Sequence, residues 1–175
     1  MLHHPISARL NFAAFRRVLT ASLTPALAAA LLLAPPAEAQ ILDSQELSLQ
    51  AVKAVASAAA AEARANNWNV VIAIVDAGGH LLYLERMDGV QTGSVQVATD
   101  KAKSAAAFRR PTLAFHEGVA SGNLILLGLS GAVPVEGGVP LMSPEGHLLG
   151  AIGVSGVTAQ QDGIIAGAGS RVLER

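Results

Sequence analysis

The chain has 175 residues, of which 51% are hydrophobic, and its formal net charge is −1. It contains no cysteine, which excludes disulfides and thiolate ligands to a metal. With charges nearly balanced and no basic run, it also lacks the electrostatic footprint of a nucleic-acid-binding protein.

The first 39 residues are predicted to be an export signal. Three arginines precede an uncharged apolar run at 18–34, which contains a proline and is shorter than the about 20 residues a membrane-spanning helix needs. Small residues then predict cleavage after Ala39. We therefore expect one domain over residues 40–175, without a membrane span, in the periplasm or outside the cell. An Arg-Arg pair before the run leaves open whether export is general or of the twin-arginine type.

The first predicted elements are a helix and a hairpin. Asp43 and Glu46 form a D-x-x-E capping box, and apolar residues at helical spacing extend the helix to about Asn66. Strands at 69–75 and 80–86 flank an Asp-Ala-Gly-Gly turn and predict a hairpin.

The second half of the chain is predicted to contain two helices, a hairpin and a last helix. A helix is predicted at 94–108, a short helix at 111–122, and a hairpin with strands at 139–142 and 147–155. A T-x-x-Q capping box opens the last helix, which extends to Leu173 and is expected to pack Ile164, Ile165 and Ala168 on the sheet. The order predicts an α+β or three-layer domain with a mostly antiparallel sheet.

Histidines are the first candidates for chemistry. His80 and His147 each follow a hairpin turn in a repeated Gly-His-Leu-Leu string, and His116 lies in the short helix. A neutral imidazole can ligate a metal or a haem iron, whereas a histidine beside a turn can also be merely tolerated there. Both interpretations stay open. No H-E-x-x-H or H-x-H spacing predicts a zinc site.

Other candidates lie near strand ends. Arg86 offers a guanidinium fork to a carboxylate such as a haem propionate or an organic acid, or else pairs with Asp76 or Asp88 to fix a loop. Gly137 and Gly138 permit either a close backbone approach to a ligand or an ordinary bend.

An ordered series of motifs resembles the GlcG/HbpS family, also called the haem-degrading domain family. The motifs are VIAIVD at 71–76, RMDG at 86–89, KA at 101–102, FRRPT at 108–112, GGVPL at 137–141, GAIGVSG at 150–156 and QD at 161–162. The resemblance implies a profilin-like α/β/α fold, with a five-stranded antiparallel sheet and helices on both faces. It also implies an assembly of identical subunits.

The resemblance further implies haem binding, in some members with slow haem breakdown or iron release. One exported branch assists a redox-sensing kinase, and other members lie beside glycolate-oxidation genes. Thr112 matches the threonine thought to ligate the iron in the exported branch. Asp162 matches the family pattern, whereas Gly163 replaces the commoner glutamate.

We therefore predict an exported haem-binding protein whose Arg86 and Asp88 border a pocket at the Gly137-Gly138 bend. The predicted ligand contacts are Asp76, Arg86, Asp88, Lys103, Gly137, Gly138, Pro140 and Asp162. The candidate iron ligands are Thr112, His116, His80 and His147. The alternative is an enzyme acting on a small organic acid, with Asp76, Asp88 or Asp162 as the acid–base group. Binding is favoured because no nucleophile–base pair is closely spaced.

Overall fold

A computed structural model describes residues 45–174 of the chain. The export signal, the expected domain start at residue 40 and Asp43 lie outside the described residues. Within them the elements are α1 (Leu49–Ala65), β1 (Val71–Asp76), β2 (Leu81–Arg86), α2 (Gly93–Phe108), α3 (Leu113–Ala120), a 3-10 helix (Leu124–Gly128), β3 (Gly138–Met142), β4 (Leu148–Ser155) and α4 (Ala159–Ser170). None of the helices in this part of the chain is long and apolar enough to cross a membrane.

The strands form one antiparallel sheet in the order β2-β1-β4-β3. Both predicted hairpins are confirmed. The sheet of residues 45–174 has four strands, so the expected count of five is wrong. Between α3 and β3 the chain forms turns and the 3-10 helix, where Gly122 and Gly131 adopt positive φ values of 96° and 81°.

Helices cover both faces of the sheet, and the predicted three-layer α+β fold is confirmed. Alternate residues of β1 point to opposite faces. Ile72 and Ile74 pack in the core beneath α1 and α4, whereas Val71, Ala73 and Val75 face α2. Because both faces are covered, β1 is apolar and buried from Val71 to Val75.

Small residues bring α2 close to the sheet. A Cβ added to Gly153 on β4 would lie 2.5 Å from the Ala102 nitrogen and would also collide with the carbonyl oxygen of Ala98. A glycine at this position therefore lets the helix backbone rest on the strand. This contact fixes the position of α2, which carries Lys101 and Lys103.

The first helix does not begin where the sequence predicts. Ser48 is its N-cap, and the Ser48 Oγ accepts a hydrogen bond from the Ala51 nitrogen at 3.1 Å. Glu46 precedes the helix, so the predicted capping box is wrong. Leu47 packs against the core, which leaves Ser48 as the first residue able to cap.

The last helix has the predicted cap but a different buried face. Thr158 Oγ1 accepts from the Gln161 nitrogen at 3.3 Å, and Gln161 Oε1 accepts from the Thr158 nitrogen at 3.2 Å. The helix ends at Ser170 rather than Leu173, and Ile164 is 45% exposed. The buried residues Asp162, Ile165, Ala166 and Gly169 have the i, i+3, i+4, i+7 spacing of one helical face.

Candidate functional site

The predicted site residues fall into three separate groups. Asp76, His80 and Lys103 lie around the β1–β2 turn. We call this group of residues the turn site. A second group, buried between α2, β3 and α4, contains Thr112, Gly137, Gly138 and Asp162. Arg86 and Asp88 form the third group, at the other end of β2. Pro140 lies on β3 opposite Ala151. His116 lies one helical turn after Thr112, to whose carbonyl its backbone nitrogen donates at 3.0 Å, and His147 lies on the β3–β4 turn.

At the turn site, Asp76 organises the backbone. Its Oδ1 accepts hydrogen bonds from the nitrogens of Gly78 and His80, both at 2.8 Å, and its Oδ2 lies 3.1 Å from His80 Nδ1. The backbone bond from His80 contributes most to holding the pKa of Asp76 below its usual value. The carboxylate is therefore ionised at neutral pH.

The Asp76 carboxylate determines the orientation and the tautomer of the His80 ring. An ionised carboxylate only accepts hydrogen bonds, so His80 Nδ1 carries the proton and Nε2 of the neutral ring has a free lone pair. The His80 side chain is 82% exposed. An imidazole oriented by a carboxylate in this way has the usual geometry of a metal-binding histidine. The D-x-x-x-H spacing across the turn is the sequence signal for this pair.

A cavity of about 230 Å³ lies beside Asp76. Leu47, Leu82 and Leu149 form its apolar wall, and Gln45 and Glu46 add polar groups. Leu81 and Leu84 are also exposed on β2, where they pair with Val75 and Ala73 of β1.

Lys103 supplies a positive charge near the turn. Its side chain is exposed, and its Cγ lies 3.8 Å from where a Cβ on Gly79 would stand. The cavity is lined by Asp76, Ala77 and Gly78 of the turn, whereas His80 and Lys103 lie beside the turn and outside the cavity lining.

The buried group is centred on Lys101, which the sequence analysis does not name as a site residue. Lys101 Nζ lies 2.7 Å from Asp162 Oδ2 and donates to the Val154 carbonyl at 3.0 Å. The side chains of Lys101 and Asp162 are 1% and 3% exposed. Burial raises the pKa of Asp162, and the hydrogen bond from Lys101 opposes that shift. In the sequence, a lysine within the alanine-rich segment of α2 is the pattern that could have identified Lys101.

Gly137 makes room for this ion pair. Its φ is +126°, and a Cβ there would lie 2.8 Å from Lys101 Nζ and from Asp162 Cβ. The geometry therefore gives Asp162 and Gly137 a structural role around Lys101. Because the Asp162 carboxylate is enclosed, a ligand does not reach it without a rearrangement.

Thr112 is also enclosed. It is fully buried, and its Oγ1 accepts a hydrogen bond from the Gly138 nitrogen at 2.9 Å. The Thr112 nitrogen donates to the Gly138 carbonyl at 3.0 Å. These bonds tie the start of α3 to β3. The hydroxyl already has a partner, so the geometry does not support the predicted role as an iron ligand.

The two other histidines lack the environment of His80. His116 is half-buried, and within residues 45–174 its buried Nδ1 has no hydrogen-bond partner. His147 is exposed on the β3–β4 turn, where its backbone nitrogen donates to Ser143 Oγ at 3.3 Å. Neither ring forms an ion pair with a carboxylate among the residues described.

Arg86 and Asp88 do not meet the Gly137-Gly138 bend. Arg86 donates from Nε to the Val90 carbonyl at 3.0 Å and from Nη2 to the same oxygen, which fixes the loop after β2. β1 and β4 separate the edge strands β2 and β3, so about 14 Å lies between them at the usual strand spacing. The predicted pocket between these groups is therefore wrong.

Residues 47–171 match the model of a family described as haem degrading protein HbpS-like. The chain belongs to this family. Protein GlcG of Escherichia coli K12 is 40% identical to this HbpS-like chain over 109 residues, which are 62% of this chain and 81% of GlcG. The match confirms the family resemblance predicted from the motifs.

Two solved structures support the same fold. A double mutant of Streptomyces reticuli HbpS has a TM-score of 0.70 and 29% identity, covering 81% of this chain and 99% of HbpS. A PduOC:heme complex has a TM-score of 0.64 and 29% identity, covering 73% of this chain and 94% of PduOC. Residues 45–174 thus have the architecture of these HbpS-like proteins.

Proposed function

We propose that this HbpS-like domain binds haem and that His80 is the iron ligand. The observation that carries the proposal is the Asp76–His80 pair, in which the carboxylate contacts Nδ1 and leaves Nε2 of an 82% exposed side chain to face a ligand. A haem iron takes four nitrogens from the porphyrin, so one open imidazole is enough. Residues 45–174 contain no group of three or more histidine, aspartate or glutamate side chains able to hold a free metal ion.

The comparisons support haem as the ligand. The family is described as haem degrading, and one structural relative was solved as a complex with haem. At the turn site, Leu82 and Leu149 fit an apolar ring, and Lys103 fits a propionate. The cavity lies below the roughly 300 to 1,000 Å³ of sites that enclose a drug-sized ligand, so it takes only part of a porphyrin. When bound, haem would supply iron redox chemistry.

A hemin titration tests this proposal. The purified protein should shift the Soret band with a defined stoichiometry, and His80→Ala should abolish the shift. His147→Ala is the matched control because His147 is also exposed and follows a hairpin turn. A wild-type spectrum identical to that of free hemin would reject haem binding. If His116→Ala or Thr112→Val abolished the Soret shift while His80→Ala kept it, the haem site would lie away from the β1–β2 turn.

We also propose that the protein is exported to the periplasm or beyond and cleaved after Ala39. The support is the arginine-then-apolar order of the leader and its small residues before the cleavage point. The intact mass of protein recovered from the periplasm should correspond to a chain that begins at Gln40. Recovery of the uncleaved chain in the cytoplasm alone would contradict export. A sensor-kinase partner stays a prediction.

A further inference from the structure

A second cavity lies at the end of β2 away from the turn site. Its volume is about 370 Å³, within the roughly 300 to 1,000 Å³ of sites that hold small molecules. β2 has six residues, so about 17 Å of strand lies between its two ends. We call this cavity the arginine cavity, and its lining residues are Arg64, Asn69, Glu85, Arg86, Met87 and Asp88.

One pair of opposite charges in the arginine cavity is already joined. Arg64 Nη2 donates to Glu85 Oε1 at 3.2 Å, and Glu85 Oε2 accepts from the Tyr83 hydroxyl at 2.9 Å. The hydrogen bond to Glu85 raises the pKa of Tyr83, so the hydroxyl keeps its proton at neutral pH. Both oxygens of the Glu85 carboxylate are therefore occupied by side chains of the domain.

The other two charges of the lining are not paired with each other. Arg86 donates from Nε and Nη2 to the Val90 carbonyl, which fixes its guanidinium and leaves Nη1 without a partner among residues 45–174. Asp88 is exposed and takes part in no ion pair within the same residues. The cavity thus presents a fixed guanidinium edge and a carboxylate that the described side chains do not neutralise.

We infer that the arginine cavity binds a small zwitterion, an α-amino acid, with its carboxylate on Arg86 and its ammonium group on Asp88. A guanidinium edge suits a carboxylate, and an aspartate suits an ammonium group. Two arginines and two carboxylates give the lining no net charge, so a ligand of one sign alone leaves Arg86 or Asp88 unmatched. The Asn69 amide can donate or accept and so fits either group of the ligand.

The spacing of the two charges restricts the ligand further. Arg86 and Asp88 are two residues apart, which is at most about 7 Å of chain. The carboxylate and the ammonium group of the ligand must therefore also lie close together, as they do on the single α-carbon of an amino acid. The inference concerns the end of β2 opposite the turn site and does not depend on haem binding.

Isothermal titration calorimetry of the wild-type protein with the common L-amino acids and glycine tests the inference. At least one should bind. The analogues of that amino acid that lack the amino group or the carboxylate, which for glycine are methylamine and acetate, should bind about 10-fold more weakly, because each loses one charged hydrogen bond. Trp68 is the only tryptophan and precedes Asn69, so its fluorescence should change on binding.

Asp88→Asn is the decisive variant because Asp88 makes no ion pair that folding would lose. It should lower the affinity for the amino acid about 10-fold and leave the affinity for the analogue without an amino group unchanged. Arg86→Gln should weaken the binding of both ligands, with thermal unfolding as the check that it is folded. Asp100→Asn, on α2 and outside the cavity lining, is the matched control and should bind like the wild type.

Three results would overturn the inference. The first is a wild-type protein that binds none of the amino acids. The second is equal affinity for the amino acid and its analogue without an amino group, which would make the cavity a site for anions alone. The third is unchanged binding in Asp88→Asn. His80→Ala should bind the amino acid like the wild type, which separates a failure here from a failure of haem binding.

Discussion

At the β1–β2 turn, the three hydrogen bonds of one carboxylate determine the chemistry of its neighbour. Asp76 accepts from two backbone nitrogens and from the His80 ring. The first two bonds hold the turn, and the third selects the imidazole tautomer. The position of a single proton therefore determines whether the exposed Nε2 can bind iron.

Asp76→Asn tests this dependence. An asparagine amide nitrogen at the Oδ2 position donates to His80 Nδ1 and so favours the tautomer with the proton on Nε2. We expect hemin affinity to fall about 10- to 100-fold, as for other substitutions of groups that orient a metal ligand. Asp100→Asn on α2 is the control and should bind like the wild type. Unchanged affinity in Asp76→Asn would contradict the role of the pair.

The buried Lys101–Asp162 pair predicts a large effect on stability. Lys101→Met leaves the Asp162 carboxylate enclosed without its cation, so we expect the free energy of unfolding to fall by about 3 to 5 kcal/mol. Urea unfolding measures this change. Lys53→Met, at an exposed position of α1, should stay within about 0.5 kcal/mol of the wild type.

The same variant predicts a pH dependence. Burial raises the pKa of Asp162, and removal of Lys101 removes the hydrogen bond that opposes this shift. Above the usual aspartate pKa, the folded state then binds a proton that the unfolded state has lost, so stability decreases as pH rises. The deficit of Lys101→Met should therefore be smaller in mild acid than at neutral pH. A deficit independent of pH would show that Asp162 does not titrate in this way.

At the scale of single elements, two N-caps provide a matched comparison. Thr158 caps α4 with its side chain, whereas Thr92 stands at the N-cap of α2 without a side-chain hydrogen bond. Thr158→Ala should cost about 1 kcal/mol of stability, and Thr92→Ala should cost little. Urea unfolding of both variants measures the difference. Equal losses would contradict the contribution of the capping box.

The contact of α2 with β4 gives a second prediction for this scale. Gly153→Ala places a Cβ against backbone atoms of Ala98 and Ala102, and we expect a loss of about 3 kcal/mol or more. Gly93→Ala, in the first turn of α2, meets no atom within 4 Å and should be neutral or stabilising. Thermal unfolding compares the two variants, and a stable Gly153→Ala protein would show that α2 can move away from the sheet.

For the whole molecule, ligand binding should appear as added stability. A ligand that binds only the folded state adds about 2.7 kcal/mol at a free concentration 100 times its Kd. Hemin should therefore raise the unfolding midpoint of the wild type and of His147→Ala, but not that of His80→Ala. An equal rise in all three proteins would indicate binding away from His80.

The separation of the candidate residues is also a property of the whole molecule. Arg86, Asp88, Gly137 and Gly138 all lie near strand ends in the sequence, which is why a shared pocket is predicted for them. The strand order places the two pairs at opposite edges of the sheet. The order of strands follows from packing over the complete domain, so positions near strand ends do not by themselves show which residues meet.

The sequence by itself determines the features that depend on neighbouring residues. Both hairpin turns and the Thr158–Gln161 capping box are local, since side chains within a few residues satisfy or block the same backbone groups. The ordered motifs also suffice to identify the family and its three-layer fold.

Only the tertiary structure decides which distant side chains meet. Lys101 and Asp162 are 61 residues apart and form an ion pair because α2 and α4 pack around the same end of the sheet. The buried face of α4 follows from its packing on α1 and the sheet, where Ile165 and Ala166 lie in the core and Ile164 is left exposed. Local patterns do not specify such pairs, because their free energy depends on burial that exists only when the whole chain is packed.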